Sequence, residues 1–462
     1  MTQTADPMAG TTEPNLTTLR AVVRGRVLLP GDDQFEDVSR AWNVAVPQRP
    51  AAVVEVLDAK DVVAVVRLAR EHGLVVSAQP GGHGATNALD GTVLLRTAAL
   101  DEITVDAGAR IARVGAGVKW GQLLAALDGT GLVAMAGSNP DVSVVGYLLG
   151  SGLPWFGRRY GLGCRSLRAA RIVGADGSLR WVDDATEPEM MWALRGGGGE
   201  FCIVTEVEID LYPEPDLHGG KLMFPISEAA AVLQAFAQVT HGAPDGLTCW
   251  ASFMHFPPLP DLPEQLRGAS FVTVDVTWLG AASEAAGLIA PLREAGTVLS
   301  DSFGPVSIGR LGEVAAEPTT PMPFIDWGGV LPRLDPTTIE RLVGVAGDRE
   351  RTALTVLQVR HAGGALATAG GPPGALTELG AEYVVFAFGV AAVPELVDPI
   401  RGSLAAVAAV CGPAGAARIP LTLLGPGGDR SAVHDPETMS RLRALKRSAD
   451  PQGVIRGNHP LD

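Results

Sequence analysis

Apolar and polar residues follow one another along the first half of the chain in the patterns of short strands and amphipathic helices. The clearest helical pattern begins after Asp58, which is placed to cap a helix, and stops at Gly73, which is placed to end it. Its apolar positions lie three and four residues apart, as one helix face requires, at Val62, Val65, Val66 and Ala69. Other apolar runs predict strands at 74–78, 92–96, 111–115 and 201–211 and helices at 120–127 and 188–194. Strands that alternate with helices in this way indicate an α/β or α+β fold.

The chain between residues 216 and 420 carries a weak internal duplication. Two prolines, Pro213 and Pro215, separate it from the preceding residues. The first half predicts a strand, a helix, two strands and a helix, at residues 221–224, 227–239, 247–255, 271–278 and 281–295. The second half predicts a helix opened by Asp335 and Pro336, two strands, and a helix that ends at Cys411, with the strands at 354–361 and 383–390. A last amphipathic helix is predicted at 437–447.

One strand of this region alternates strictly between apolar and polar side chains. The two interleaved sets are Val272, Val274, Val276 and Trp278, and Thr273, Asp275 and Thr277. This period of two predicts a sheet with one face packed on helices and the other face exposed, where a ligand could lie.

Composition and charge argue against several classes of protein. Hydrophobic residues make up 47% of the 462 residues and charged residues 19%, which is typical of a globular chain rather than a disordered one. Acidic residues outnumber basic residues by 51 to 36, and the net charge of −15 argues against binding nucleic acid or an anionic membrane. The first twenty residues predict a loose tail without a secretory signal, and no apolar run is long enough to span a bilayer. We therefore expect a soluble cytoplasmic protein.

Three glycine-rich segments, at residues 80–84, 137–152 and 195–199, are the candidates for chemistry. Without side chains, successive backbone N–H groups can approach a diphosphate, and His83 inside the first segment would lie at the edge of such a ligand. An ordinary surface turn is the alternative for this segment. The sequence lacks the Rossmann, P-loop, nucleophile-elbow and H-E-x-x-H motifs. Its four cysteines are scattered, which argues against a disulfide scaffold and a structural zinc site.

The three segments, in this order, resemble those of the FAD-linked oxidases of the vanillyl-alcohol oxidase superfamily. The motifs are a Gly-Gly-His loop, a Gly-Ser-x-Pro-Asp-Val-x-Val-Val-Gly-Tyr-x-Leu-Gly-x-Gly run and a Leu-Arg-Gly-Gly-Gly-Gly-x-Phe run. Trp42-Asn43 and Asn458-His459-Pro460 are similar to the two ends of the same family. The branch that the chain resembles is that of berberine bridge enzyme and 6-hydroxy-D-nicotine oxidase, and the resemblance runs from about residue 40 onward.

The resemblance implies an α+β protein of the PCMH type. An FAD-binding domain of two α/β subdomains would occupy residues 40–213, after an N-terminal tail and first element at residues 1–39. A substrate-binding domain, with an antiparallel sheet backed by helices, would occupy residues 214–420. A C-terminal segment at residues 421–462 would return to the FAD-binding domain.

For the cofactor site, the resemblance implies a covalent bond between the ring of His83 and the 8α-methyl group of the flavin. It also implies FAD contacts from a larger set of residues: Gln79, Pro80, Gly81, Gly82, Gly84, Ala85, Ser138, Asp141, Val142, Ser143, Gly146, Gly150, Gly152, Ile203 and Asn458. Many relatives have arginine where Gln79 stands, so the charge compensation at the diphosphate differs. Doubly linked relatives have a cysteine at the position of Asn139, so we predict a single histidyl linkage without a cysteinyl bond.

The implied chemistry is the oxidation of a small alcohol or amine, with hydride transfer to FAD and reoxidation by O2 to give hydrogen peroxide. The alternatives are a flavin-dependent dehydrogenase or oxygenase of a natural-product pathway in secondary metabolism, and a non-catalytic flavin binder. We expect a small-molecule substrate and O2 as partners, no nucleic acid, membrane or metal, and a monomer or homodimer.

No motif identifies the catalytic base, because residues 425–440 lack the tyrosine that sugar-oxidising relatives use. Residues 359–365 resemble a motif of the hydroxynicotine oxidase branch, and the candidates are Gln358 and Arg360 on one strand face, His361 on the other, and Tyr160. Further candidates for the pocket wall are Trp155, Trp250, Trp278 and His255. For each of these residues, a packed core side chain is the alternative interpretation. Apolar, aromatic strand faces favour a substrate with a ring or hydrocarbon surface.

Overall fold

The computed structural model describes residues 16–258 and 263–461, and their fold is α+β. Three main sheets follow one another along the described chain, and helices pack on each of them. The α-helices are α1 (Leu19–Val22), α2 (Phe35–Ser39), α3 (Ala59–His72), α4 (Trp120–Leu127), α5 (Val144–Leu149), α6 (Gly157–Tyr160), α7 (Pro188–Leu194), α8 (Ala229–Thr240), α9 (Ala282–Arg293), α10 (Pro336–Ala346), α11 (Val397–Cys411) and α12 (Pro436–Ala449).

The first sheet carries the first glycine loop. Its strands, in the spatial order β1-β2-β4-β3, are β1 (Arg26–Leu28), β2 (Ala52–Glu55), β3 (Val76–Ala78) and β4 (Val93–Arg96). Strands β2, β4 and β3 are parallel, and the apolar face of α3 is buried in the same core. The carboxylate of Asp58 accepts from the first N–H groups of α3, and Gly73 ends the helix in the left-handed region. The sequence prediction for this helix is confirmed.

The C-terminal tail lies along the edge of this sheet. Ile455 pairs with Val76 of β3 in parallel. The N–H of Val76 donates to the carbonyl of Val454 at 2.7 Å, and the N–H of Arg456 donates to the carbonyl of Val76 at 2.9 Å. The buried carboxylate of Asp450 fixes the turn before the tail, because it accepts from the N–H groups of Val454 and Ile455 at 2.9 and 2.8 Å. The tail therefore runs beside the strand that leads into the first glycine loop.

The second sheet is antiparallel and belongs to the largest buried core. Its strands, in the order β5-β6-β10-β8-β9, are β5 (Ile103–Asp106), β6 (Ile111–Gly115), β8 (Leu167–Gly174), β9 (Leu179–Asp183) and β10 (Cys202–Asp210). Two short strands, β7 (Leu132–Val133) and β11 (Tyr212–Pro213), pair separately. Helices α4, α5 and α7 pack against this sheet, and Trp120 at the start of α4 is completely buried. The predicted helices at 120–127 and 188–194 are confirmed, whereas β5 was not predicted.

The third sheet has eight strands and shows the predicted duplication. Its strands are β12 (Leu217–Pro225), β13 (Leu247–His255), β14 (Ser270–Leu279), β15 (Ser300–Asp301), β16 (Gly304–Pro305), β17 (Phe324–Leu331), β18 (Val356–His361) and β19 (Tyr383–Val390). The main strands lie in the order β12-β14-β13-β18-β19-β17, so the two halves are related as β12-α8-β13-β14-α9 and β17-α10-β18-β19-α11. Strand β17 was not predicted, because Asp326 and two glycines interrupt its apolar run.

The strand with alternating apolar and polar residues is β14. Its apolar face agrees with the prediction, and its polar face does not. Its valines pack in the core that helices α8 to α11 share with the sheet. The polar face is buried as well, since Thr273 and Thr277 are 0% exposed and Asp275 is 3% exposed. The prediction of an exposed face is therefore wrong. Trp155, from the segment 150–163, covers part of this face, since it stacks on Trp250 of β13 with 3.8 Å between ring centroids.

The N-terminal prediction is corrected in part. Residues 16–22 form a 3-10 turn and helix α1 instead of a loose tail, because Leu19 is fully buried against the core of the first sheet. The rest of the predicted tail, residues 1–15, lies outside the described residues. Within residues 16–258 and 263–461, no helix has the length and apolar character needed to cross a membrane. The four cysteines are buried free thiols.

Candidate functional site

Strand β3 runs directly into the first glycine loop, residues 79–86. Gly82 has a φ of +91°, and a Cβ at this position would lie 2.9 Å from the side chain of Gln79 and 3.0 Å from Ala41. Glycine relieves both the steric conflict and the backbone strain there. At Gly84, in contrast, a Cβ would meet no described atom within 4 Å. The loop is thus closely packed on the protein at Gly82 and open at Gly84.

His83, in the first glycine segment, faces Asp141 of the second segment. Its ring stacks on that of Trp42, with centroids 4.2 Å apart and planes inclined by 18°. Its Nε2 is buried, lies 3.7 Å from Asp141 Oδ2 and has no hydrogen bond in the described chain. Burial by itself would raise the pKa of the Asp141 carboxyl, but the neighbouring His83 and Lys119 side chains outweigh burial and lower the pKa. An ionised carboxylate therefore faces the imidazole, where it can orient the ring and stabilise positive charge on it.

Asn458 joins the C-terminal tail to the glycine loop. Its Nδ2 donates to the carbonyl of Gly84, and its Oδ1 accepts from the N–H of Thr86 at 2.9 Å. The hydroxyl of Thr86 donates to the backbone carbonyl of Asn458 at 2.5 Å. The tail thus fixes the backbone directly after His83.

We expect Asn458→Ala to lower the fraction of purified protein that carries flavin. The variant loses both side-chain hydrogen bonds to the loop, each worth about 0.5–1.5 kcal/mol, so the loop leaves its described conformation more often. The ratio of flavin to protein absorbance measures the effect. Asn87→Ala, which removes a hydrogen bond from an exposed side chain to the carbonyl of Pro47, is the matched control. Equal flavin content in the two variants would contradict the expectation.

Arg96 fixes Gln79 through two hydrogen bonds. The guanidinium of Arg96 donates to the backbone carbonyl of Gln79 at 2.9 Å and to its side-chain Oε1 at 3.0 Å. Burial lowers the pKa of Arg96 to about 10, which leaves it charged at neutral pH. The Arg96 guanidinium therefore places a positive charge beside Gln79, the position at which many relatives have arginine.

In the second glycine segment, Asn139 stands where doubly linked relatives have cysteine. Its Oδ1 accepts from the N–H of Asp141 at 2.8 Å, and its Nδ2 donates to the carbonyl of Pro318 at 2.9 Å. The amide thus holds the segment that presents Asp141. Ser143 caps α5 by accepting from the N–H of Gly146 at 3.3 Å.

Two glycines of this segment pack against protein. A Cβ at Gly150 would lie 2.7 Å from Thr422, and one at Gly152, where φ is +70°, would lie 2.2 Å from the ring of Tyr147. These glycines allow close packing, and a cofactor contact through their backbone stays a prediction. The other predicted contacts lie in the first loop, in the second segment and in β10: Pro80, Gly81, Ala85, Ser138, Val142 and Ile203.

The polar face of the eight-stranded sheet is arranged in rows across the strands. The register places four residues of the first row side by side, Lys221, Asp275, Trp250 and Arg360. The second row contains Met223, Thr273, Ser252, Gln358 and Phe386. The third row contains Phe271, Met254, Val356, Phe388 and Asp326. Most of the first row is buried and the third row is half-buried, so this face opens at the third row.

The structure brings the predicted residues Gln358 and Arg360 together on this face. Arg360 Nε donates to Gln358 Oε1 at 2.6 Å, and Gln358 Nε2 donates to Ser252 Oγ at 3.0 Å. The guanidinium carbon of Arg360 lies 4.3 Å from the ring centroid of Trp250 and 5.2 Å from that of Phe386. The hydrogen bonds fix the amide of Gln358 and the direction of the guanidinium.

Two carboxyl groups on this face were missed by sequence reasoning as site residues. Burial raises the pKa of Asp275 to about 7, although Lys221 Nζ lies 3.4 Å from its Oδ1. Burial also raises the pKa of Asp326 to about 6, and its Oδ1 is buried without a hydrogen-bond partner in the described chain. The alternation of β14 was the available signal for Asp275. Asp326 had no such signal, because β17 was not predicted.

Asp326→Asn is expected to stabilise the folded protein more at pH 8 than at pH 5. Because the folded pKa lies above the ordinary value of 3.8, wild-type stability falls as the pH rises from about 4 to about 6, and the loss persists above pH 6. Asparagine cannot ionise, so it removes this cost, which is on the order of 1–3 kcal/mol for a half-buried group. Thermal unfolding at the two pH values measures the difference. Asp33→Asn, at an exposed position, is the control, and equal shifts for both variants would refute the expectation.

His361 and Tyr160 do not join this face. His361 lies on the helix-covered face, 6.1 Å from Tyr383 between ring centroids, and burial together with the charge of Arg158 lowers its pKa to about 2. Tyr160 stacks on Tyr212 at 4.1 Å between ring centroids. The sheet separates His361 from the polar face, and Tyr160 packs against a different element, so the structure does not bring either side chain together with Gln358 and Arg360.

The further pocket candidates divide into two pairs. Trp155 stacks on Trp250, which belongs to the first row of the polar face. His255 is held by the Ala346 carbonyl and the Ser270 hydroxyl, both at 2.8 Å, and Trp278 Nε1 donates to a nearby carbonyl at 2.9 Å. For His255 and Trp278, the alternative interpretation as satisfied core residues fits the structure.

A series of aromatic rings connects His83 with the polar face. After Trp42, which stacks on His83, the ring centroids lie 6.0, 5.9 and 5.9 Å apart along the series Trp42, Phe324, Phe388 and Phe386. The last ring contacts the guanidinium of Arg360. The imidazole and the Gln358–Arg360 pair therefore lie along one aromatic wall.

The residues present fit the FAD that the resemblance implies. Within the described chain, several buried polar atoms of the glycine segments have no hydrogen-bond partner: Gln79 Nε2, His83 Nε2 and the Tyr147 hydroxyl. Buried polar atoms are normally paired, so these three atoms are available as hydrogen-bond partners for a polar ligand such as FAD. A Cβ at Gly84 or at Gly199 would meet no described atom within 4 Å, which leaves the backbone there accessible to such a ligand.

Comparisons with known proteins agree with this interpretation. Residues 50–183 match the FAD binding domain family. An FAD-dependent monooxygenase of Fusarium proliferatum is 39% identical over 202 residues, which are 42% of this chain and 39% of that protein. The (R)-6-hydroxynicotine oxidase of Paenarthrobacter nicotinovorans is 33% identical over 302 residues, which are 64% of each chain. The matched segments thus span less than two thirds of either relative.

Solved structures extend the likeness to nearly the whole fold. The crystal structure of 6-hydroxy-D-nicotine oxidase from Arthrobacter nicotinovorans superimposes with a TM-score of 0.79 at 27% identity, covering 95% of this chain and 98% of that one. Berberine bridge enzyme from Eschscholzia californica shares the fold, with a TM-score of 0.79 at 16% identity over 97% of this chain and 98% of that one. The chain thus carries an FAD binding domain at residues 50–183, and over nearly its whole length it is similar in fold to 6-hydroxy-D-nicotine oxidase.

Proposed function

We propose that this protein is an oxidase that carries FAD covalently on His83 and oxidises a small-molecule alcohol or amine, with O2 as electron acceptor and hydrogen peroxide as second product. When bound, FAD supplies the hydride acceptor. The observation that carries the proposal is the setting of His83, whose buried Nε2 has no hydrogen bond among the described residues and lies at the junction of the glycine loop and the aromatic wall.

Three neighbours prepare His83 for a covalent bond. Trp42 fixes the plane of the imidazole by stacking, and Asp141 supplies a nearby negative charge that stabilises the ring when it becomes positive. Lys119 holds Asp141 in place through an ion pair. Asn139 offers no thiol, so the proposal includes the histidyl bond alone.

The polar face and the aromatic wall would hold the substrate. The aromatic rings exclude water, and the Gln358–Arg360 pair orients polar groups of the substrate. Oxidation of an alcohol also needs an acceptor for the hydroxyl proton, and a pKa near neutrality suits this task. Asp275 is occupied by Lys221, whereas Asp326 lies in the half-buried row with no cation within 4 Å in the described chain, so we assign the proton acceptor to Asp326.

The test begins with the cofactor and ends with oxygen. Intact-mass measurement of purified protein should show the mass of one FAD, and acid precipitation should leave the yellow colour in the pellet. The same preparation is then offered amines, secondary alcohols and sugars, and peroxide release is measured. An active substrate should give peroxide equimolar with its oxidised product. Flavin that is released by acid would overturn the covalent part, and the absence of turnover with every class would favour a non-catalytic flavin binder.

A flavin-dependent oxygenase is the second candidate, because a relative with 39% identity over 202 residues carries the name monooxygenase. Such an enzyme would consume O2 and add one oxygen atom to the product, without stoichiometric peroxide. A dehydrogenase would instead reduce an artificial dye and react slowly with O2. Product mass and oxygen consumption, measured together, separate the three activities.

A further inference from the structure

Arg360 is a buried cation without an acidic partner. Arg360 is 8% exposed, and in the described chain no carboxylate oxygen lies within 4 Å of its side-chain nitrogens. Its one hydrogen bond in this part of the structure is the one from Nε to Gln358. Two other buried arginines show the usual arrangement, because the terminal nitrogens of Arg158 and Arg195 donate to backbone carbonyls and pair with aspartates.

The surroundings of Arg360 fix the guanidinium without neutralising it. The rings of Trp250 and Phe386 contact the guanidinium, and the Gln358 side-chain oxygen accepts the hydrogen bond from Nε. The two terminal nitrogens have no protein acceptor among the described residues. The charged and titratable groups around it are Glu317, Asp275 and Tyr147. Asp275 is paired with Lys221, and Glu317 lies too far away to form an ion pair. Arg360 therefore keeps a positive charge on the polar face that no carboxylate of the described residues pairs with directly.

An uncompensated buried charge is costly, and a ligand that supplies the opposite charge recovers that cost on binding. The two terminal nitrogens of a guanidinium match the two oxygens of a carboxylate. The second and third rows beside Arg360 present Phe386 and Phe388, which suit a flat apolar ring. The Arg360 cation, the aromatic rings and the half-buried opening thus follow one another along the polar face.

We propose that Arg360 anchors an aromatic acid, whose anionic oxygens bind the guanidinium while its ring lies against Phe386 and Phe388. The inference rests on the proposed function, since it assigns the substrate class of that same site. Gln358 is a positioning residue here, because it holds Nε and thereby directs the terminal nitrogens. A neutral aromatic compound of the same shape would lose the charge-assisted hydrogen bonds and bind more weakly.

Ligand binding tests this without knowledge of the natural substrate. Flavin-loaded protein is titrated with benzoate and with benzamide, and binding is followed by calorimetry and by the flavin absorbance difference. We expect wild-type protein to bind benzoate about tenfold more tightly than benzamide. Arg360→Gln should abolish this preference by weakening benzoate alone, and Arg360→Lys should retain part of it. Arg401→Gln, at a side chain that is 67% exposed, is the control.

Several results would overturn the proposal. One is equal binding of benzoate and benzamide by wild-type protein, and another is undiminished benzoate binding by Arg360→Gln. A third is a change of the flavin spectrum in ligand-free Arg360→Gln with no change in benzoate affinity, which would assign Arg360 to the cofactor. If Arg360→Gln does not fold, the Arg360→Lys variant carries the comparison. Acid release of the flavin from wild-type protein would refute the covalent attachment in the proposed function. Calorimetry would still show whether the protein prefers benzoate to benzamide, so the two failures can be told apart.

Discussion

His83→Ala is expected to yield protein from which acid releases all flavin and whose intact mass is that of the bare polypeptide. The variant removes the only imidazole of the glycine loop, and no thiol stands at position 139 to form a second bond. Any remaining FAD would be held by the loop and the second glycine segment alone. A histidyl bond to the flavin would withdraw electron density from its ring system, so oxidation of substrate by refilled His83→Ala protein should also slow by about tenfold or more.

The control for this variant is His241→Ala, which removes an exposed imidazole just after helix α8. It should retain covalent flavin and activity. Circular dichroism on both variants separates loss of the bond from loss of the fold. Covalent flavin in His83→Ala would show that another residue is the point of attachment and would remove the basis of the proposed cofactor site.

Arg158→Met is expected to lower the free energy of unfolding by about 3–6 kcal/mol. Arg158 lies in α6, and its guanidinium donates to the carbonyls of Leu247 and Ala243 at 2.9 Å each and to that of Ala362. These carbonyls lie at or near the ends of strands β13 and β18. The side chain of Arg158 therefore links helix α6 to the eight-stranded sheet. Methionine fills similar space but leaves the buried carbonyls of Leu247 and Ala362 and the half-buried carbonyl of Ala243 without their donor, and each buried carbonyl left unpaired costs about 1–3 kcal/mol.

Urea unfolding, followed both by tryptophan fluorescence and by far-UV circular dichroism, measures this change. Eight tryptophans contribute to the fluorescence, among them the stacked pair Trp155 and Trp250, which belong to the two parts that Arg158 joins. Arg401→Met is the control, since Arg401 is exposed and pairs only with an exposed aspartate, and its midpoint should stay within experimental error. A wild-type midpoint for Arg158→Met would show that the two parts are held together by their apolar contacts alone.

The elements that the sequence predicted well are those with a strong local signal. Helix α3 has a cap, an apolar face and a terminal glycine, and helices α4 and α7 were predicted with the bounds found in the structure. Strands β13 and β19 were likewise predicted with their observed ends. In contrast, β17 contains Asp326 and paired glycines, so its extended conformation depends on pairing with β19 across a long sequence distance. Local pattern cannot reveal such pairing.

The site shows the same division. The glycine motifs located His83 and its loop because their backbone conformation requires those residue types. The rows of the polar face could not be predicted, since they depend on the register between six strands that are far apart in sequence. The burial of Asp275 was missed for a related reason: a period of two identifies two faces but does not say that a second domain covers the polar one.

The link between Asn458 and Gly84 also bears on when the enzyme can mature. The two residues are 374 positions apart, so the loop around His83 leaves the ribosome long before its partner in the tail has been synthesised. A nascent chain can build the first sheet early but lacks the strand partner at Ile455 and the amide that secures the loop. Flavin attachment is therefore expected after translation has passed residue 458, and a ribosome-stalled chain that ends before this point should remain colourless.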